Sequence, residues 1–141
     1  MRRSGEIIIV DDDEDDRLIL QEIIESLGYS NKIVFFGDPT KVVEYLSGQD
    51  VYPFIIFCDI NMPKMDGYQL RYQVFGNDEI SKKGTPYIFL STSKNPENVK
   101  KAFENSMHGY FKKESDFNEY TSTIKHILEY WLISLTPGSL L

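Results

Sequence analysis

The chain has 141 residues, the length of one domain, and its 41% hydrophobic and 26% charged residues are the composition of an ordinary globular protein. Fifteen Lys and Arg against 22 Asp and Glu leave a net charge of −7, which speaks against nucleic acid or an anionic membrane surface as the partner, because both are bound by neutralising negative charge. One cysteine, Cys58, excludes an internal disulfide and suits a reducing compartment. No stretch reaches the roughly 18 apolar residues of a membrane span, and the run after Met1-Arg2-Arg3 is too short for a secretory signal, so a soluble cytoplasmic protein is expected.

In chain order, Glu6–Val10 is an apolar, β-branched run and predicts the first strand. Leu20, Ile23, Ile24 and Leu27 recur at helical spacing, and Gly28 follows as a C-cap. Lys32–Phe36 predicts the second strand. Asp38-Pro39 supplies an N-cap with proline at the first helical position, and Gly48 closes that helix. Phe54–Cys58 predicts the third strand, and a helix runs from near Asp66-Gly67 to Gly76. The polar connection Asn77 to Thr85 reads as a partner-specific surface or a tolerated insertion. Tyr87–Leu90 is the fourth strand. Asn95-Pro96 opens a helix with Val99, Ala102, Phe103 and Met107 on one face, and Gly109–Phe111 is the fifth strand. The last helix is expected to start at Ser115, with Phe117, Tyr120, Ile124, Ile127, Leu128, Trp131, Leu132 and Leu135 in period, and to end at Pro137-Gly138. Strict alternation of strands and helices means an α/β fold: a doubly wound, five-stranded parallel sheet with helices on both faces.

Such sheets bind ligands beyond the carboxyl ends of their strands. There the first strand is followed by Asp11-Asp12-Asp13, the third by Asp59, the fourth by Ser91-Thr92-Ser93 and the fifth by Lys112-Lys113. Two carboxylates about 4 Å apart repel by about 4 kcal/mol at an effective dielectric near 20, so a divalent cation or a lysine must offset them. Mg²⁺ suits oxygen ligands of this kind, and an aspartate, a metal, a hydroxyl and an ammonium together make a site for phosphoryl transfer.

The segments Ile7-Ile8-Ile9-Val10-Asp11-Asp12-Asp13-Glu14 and Cys58-Asp59-Ile60-Asn61-Met62-Pro63-Lys64-Met65-Asp66-Gly67 resemble the opening and the phosphoacceptor loop of response-regulator receiver domains. Ser91 falls where that family has its Thr/Ser, and Lys113 falls four residues after Gly109 as in its Gly-Tyr-x-x-Lys pattern. The likeness covers about residues 5–135, and the whole chain, 1–141, is expected to be a single receiver domain without an output domain. It implies the flavodoxin-like strand order 2-1-3-4-5. It also implies roles: Asp59 as phosphorylated nucleophile, and Mg²⁺ on Asp12, Asp59 and the Asn61 backbone carbonyl, with Asp11 acting through water. Ser91 and Lys113 would hold the phosphoryl group, and Tyr110 would be the aromatic switch that follows Ser91. The implied partner is a sensor histidine kinase or histidine phosphotransfer protein, a phytochrome-type kinase among them, with output through the fourth helix, fifth strand and fifth helix, a face that also suits a homodimer.

Glu114 stands where most receivers have a proline in a cis peptide bond. A cis bond before a non-proline costs about 2.5–4 kcal/mol, so a trans bond and a reshaped loop are expected, with Lys112 as a competitor for the role of Lys113. The alternative function is a pseudo-receiver, a phosphate-independent interaction module. An enzyme of the haloacid-dehalogenase type lacks its late acidic metal ligands here. An EF-hand over Asp11–Glu22 lacks its glycine, Asp16 standing in that place. Glu14, Asp15 and Asp16 read as acids placed at a helix N-terminus, and His108 as a cation placed at a helix end.

Overall fold

The computed structural model describes residues 2–92, 95–104 and 108–137. Five parallel strands, β1 (Ile7–Val10), β2 (Ile33–Phe36), β3 (Ile55–Asp59), β4 (Tyr87–Ser91) and β5 (Tyr110–Lys112), form one sheet of order β2-β1-β3-β4-β5. The helices are α1 (Glu14–Ser26), α2 (Val42–Leu46), α3 (Gly67–Gly76), α4 (Asp78–Ser81), α5 (Pro96–Glu104) and α6 (Phe117–Ile133), with a 3₁₀ turn over Pro39–Lys41 leading into α2. The expected fold and order are therefore present.

Alternation along the strands sorts the core into two layers. Ile7, Ile9, Ile55, Phe57, Ile88 and Leu90 point to one face, where Leu20, Ile23 and Ile24 of α1 and Tyr120, Ile124, Ile127 and Leu128 of α6 cover them. Ile8, Val10, Ile56, Cys58, Tyr87 and Phe89 point to the other, under Val42 and Leu46 of α2, Leu70 and Val74 of α3, and Ala102 of α5. Central strands are covered on both faces, which is why β1, and β3 and β4 up to their last residues Asp59 and Ser91, read as nearly continuous apolar runs.

The helix ends follow their caps. Asp13 caps α1, its carboxylate accepting from the backbone N–H of Asp15 and Asp16, and Gly28 leaves the helix at φ 88°. Asp38 caps the 3₁₀ turn, and Asp66 with Gln69 forms a capping box on α3. Some expectations are corrected. The last helix begins at Phe117, not Ser115, because Asp116 takes the cap by accepting from Asn118 and Glu119. It ends at Ile133, and Leu135 is 72% exposed rather than part of its packed face. Phe103 leaves the packed face of α5 and is 67% exposed, while Ala102 is buried. Met107 and Gly138 lie outside the described residues.

The connection between α3 and β4 holds a helix that the alternation did not predict. Asn77 caps α4, whose one buried side chain is Ile80. After it, the Lys83 ammonium turns inward and donates to the main-chain carbonyls of Leu46 (2.7 Å), Gly48 (2.7 Å) and Val51 (2.8 Å). The insertion thus closes the N-terminal edge of the sheet over the end of α2.

Candidate functional site

The opposite, C-terminal edge of the sheet carries the chemistry. β1 delivers Asp11 at its end, buried to 5% exposure, and Asp12 follows, exposed, ahead of the α1 cap Asp13. β3 ends on Asp59, half-buried, whose Oδ1 accepts from the Ile60 N–H at 2.9 Å. The Asp59 loop turns back so tightly that the Gly67 N–H donates to the Ile60 carbonyl at 2.8 Å, and a Cβ on Gly67 would lie 2.6 Å from the Asp59 carbonyl oxygen. Glycine at 67 is required by that approach.

Carboxylate oxygens of Asp11, Asp12 and Asp59 lie within 4.8 Å of one another. An all-oxygen donor set of this charge fits a hard divalent cation, and Asn61 sits exposed at the mouth, two residues beyond Asp59.

Lys113 reaches this cluster from the end of β5. Its Nζ lies 2.7 Å from Asp11 Oδ2, 3.1 Å from Asp16 Oδ2 and 3.4 Å from Asp59 Oδ1. The Lys113 N–H donates to the Ser91 carbonyl at 2.7 Å, which ties the two rim residues together. Ser91 is buried at the end of β4, one residue beyond the Asp59–Leu90 pairing. Among the described residues all peptide bonds are trans, Lys113–Glu114 included, as expected. Glu114 pairs with Lys112 at 3.5 Å, so the residue in the proline's place draws the competing lysine away and leaves Lys113 to the site. Tyr110 is half-buried against the core layer beneath α3 and α5.

The electrostatics follow from the crowding. Burial pushes the Asp59 carboxyl up to about 6; the Lys113 charge opposes this and the Asp11 charge adds to it. Asp11 is raised by burial against the same ammonium. Burial alone would lower Lys113, but the hydrogen bonds it donates to Asp11 and Asp16 and the charges of Asp59 and Asp11 outweigh it and hold the lysine well above its usual range. The cluster therefore keeps Lys113 charged and carries more negative charge than one ammonium cancels.

The structure thus brings Asp11, Asp12, Asp59, Lys113 and Ser91 to one rim. It adds Asp16, in sequence an acid at a helix N-terminus. No signal in the chain marks it: Asp12 precedes the cap residue Asp13, and Asp16 has the chemistry of any acid in the first turn of a helix. His108 departs from its reading as a helix-end cation. Its Nδ1 accepts from the Tyr87 N–H at 2.9 Å, its ring lies against Phe75 and Trp131, and burial with the Arg71 charge lowers its pKa. A neutral imidazole fits those contacts.

Comparison with known proteins agrees with this geometry. The chain is similar to the probable methanogenesis regulatory protein FilR2 of Methanothrix harundinacea, 25% identical, with 89% of this chain and 83% of the relative covered. It is 24% identical to the response regulator Rcp1 of Synechocystis, over 92% of this chain and 90% of the relative. Among solved structures it resembles the phosphorylated cyanobacterial phytochrome response regulator RcpA, with a TM-score of 0.81 at 24% identity over 94% and 96% of the two chains. The family model described as response regulator receiver domain matches residues 7–125, a span from the first residue of β1 into α6 that takes in the whole charged rim. The chain therefore belongs to the response regulator receiver domain family.

Proposed function

We propose that this protein is a signalling switch that takes a phosphoryl group onto Asp59 from the phosphohistidine of a sensor histidine kinase or histidine phosphotransfer protein. The observation that carries this is the convergence of Asp11, Asp12 and Asp59 within 4.8 Å. The Lys113 ammonium lies 3.4 Å from Asp59, on the rim where receivers are phosphorylated. An Asp59 oxygen attacks phosphorus, the P–N bond breaks, and the imidazole leaves with the electron pair and takes up a proton. Asp12, Asp59 and the Asn61 carbonyl would hold Mg²⁺, with Asp11 assisting, and the ion would supply charge neutralisation for the transferring group. Ser91 and Lys113 hold the phosphoryl oxygens, and Tyr110 follows Ser91. The buried, single cysteine fits a cytoplasmic setting.

The added charge biases two arrangements of the α5-β5-α6 face. Exposed Phe103, Tyr130 and Ile133 on that side are its apolar contacts for a target or a second copy of the chain. The phytochrome response regulator RcpA among its likenesses supports a phytochrome-type kinase as donor.

Intact-protein mass after incubation with acetyl phosphate tests the reading. The expected result is one added phosphoryl group that requires both Mg²⁺ and Asp59 and is absent in Asp59→Asn. No gain together with no beryllofluoride binding would reject it in favour of a phosphate-independent module.

A further inference from the structure

Lys113 has three N–H donors and three carboxylate neighbours, and it stands closer to two of them, Asp11 (2.7 Å) and Asp16 (3.1 Å), than to Asp59 (3.4 Å). Asp16 is not part of the Asp11–Asp12–Asp59 group that fits a cation. It comes from the first turn of α1, and its backbone is fixed there because its N–H donates to the Asp13 cap at 3.2 Å. Its side chain is 40% exposed, so its charge also faces the solvent from which a phosphodonor arrives, whereas that of Lys113 is 10% exposed.

We infer that Asp16 is a positioning residue: it parks the Lys113 ammonium on the α1 side of the site and so sets how readily that ammonium is given up to a phosphoryl group on Asp59. The inference rests on the reading of Asp59 as acceptor and extends it. An ammonium held by Asp11 and Asp16 must release at least one of them before it donates to phosphoryl oxygens. Losing the Asp16 charge lowers the cost of that release and the repulsion of an anionic donor, so both effects speed uptake. Asp13, not Asp16, caps α1, so an amide at 16 leaves the helix start intact.

The test measures the phosphorylation rate constant of Asp16→Asn and Asp16→Glu at fixed Mg²⁺. Two donors are used: acetyl phosphate, a dianion near neutral pH, and phosphoramidate, which carries an internal positive charge. Asp16→Asn is expected to gain about fivefold with acetyl phosphate and less with phosphoramidate, as removal of one nearby charge requires. Asp16→Glu should return toward the wild type. Nitrogen NMR of the Lys113 ammonium supplies a readout that a merely structural role would not move. Its resonance should shift in metal-free Asp16→Asn and match the wild type in the Mg²⁺–beryllofluoride complex. Wild-type rates with an unshifted Lys113 resonance, or slower uptake in Asp16→Asn, would overturn the inference. A wild type that takes no phosphate from either donor would reject the Asp59 reading instead, and the metal-free resonance would still decide whether Asp16 parks Lys113.

Discussion

Two lysines are buried at opposite edges of the same sheet, each with three oxygen partners. Lys83, at the N-terminal edge, donates to three main-chain carbonyls. Lys113, at the C-terminal edge, faces three carboxylates. The neutral cage leaves Lys83 with its pKa lowered by burial, while the charged one holds that of Lys113 up. The difference separates structure from function. Carbonyls fixed in the chain have one arrangement and nothing to exchange, so Lys83 acts as a staple between α2 and the segment after α4. Carboxylates in excess of their cation repel one another, and on the proposed function that repulsion would be relieved by a metal ion, with Lys113 then free to pair with a phosphoryl group.

The largest effect is expected where the neutral cage is emptied. Lys83→Met removes the ammonium that the Leu46, Gly48 and Val51 carbonyls accept from, with Gly48 keeping its bond from the Val51 N–H, and should cost about 3 kcal/mol in urea unfolding, while the folded fraction still takes phosphate at the wild-type rate. Wild-type stability would show that the cage is not a staple.

At the other edge a loss of charge should stabilise. The Asp59 carboxyl sits at about 6, above its ordinary 3.8, so the fold favours its protonated form. That contribution is complete below 3.8 and is lost as pH rises through about 6, which makes ionised Asp59 a net cost at neutral pH. Asp59→Asn should therefore be more stable than wild type by about 1–3 kcal/mol at pH 7.5, with the gain vanishing near pH 4 in paired denaturation curves. Less stable Asp59→Asn at pH 7.5 would contradict the picture of a repelling site.

Magnesium should offset the same repulsion. At ten times its Kd it should stabilise the wild type by about 1.4 kcal/mol, and the effect should fade below pH 6 as protons compete for Asp59. Asp59→Asn should respond less, and an equal response in calorimetry would place the ion elsewhere.

The smallest effect belongs to His108, near the N-terminal edge. Its pKa is lowered from 6.5, so the folded state favours the neutral ring; that stability is complete above 6.5 and is lost as pH falls below it. Asn at 108 keeps an acceptor for the Tyr87 N–H without titrating. It should remove a drop in Tm of under about 2 °C between pH 7.5 and 5.5. An unchanged drop would assign it to other groups.

Much of this was legible in the chain. The central strands are nearly continuous apolar runs because both faces are covered, and Asp11, Asp12, Asp59 and Lys113 sit where strands end, so a parallel sheet brings them together. What escaped did so for physical reasons. α4 has four residues and one buried side chain, too few to show a period. The Lys83 cage uses main-chain carbonyls from residues 32 to 37 positions away, and carbonyls leave no mark on side-chain chemistry. Asp16 carries the same signature as any acid at a helix start; only the reach of Lys113 across 97 residues distinguishes it. Phe103 obeys the period of α5 but lies outside the packed stripe, while the small Ala102 occupies the close contact.

On the proposed function Lys113 is a transferable ammonium, held by carboxylates until a phosphoryl group claims it. A crystal structure with Mg²⁺ and beryllofluoride tests it most directly. The metal is expected on Asp12 and Asp59, the fluoride group on Asp59, and Lys113 Nζ moved from Asp16 to hydrogen-bonding distance of a fluorine beside Ser91. A beryllofluoride complex in which Lys113 keeps its 2.7 Å and 3.1 Å contacts to Asp11 and Asp16 would contradict it.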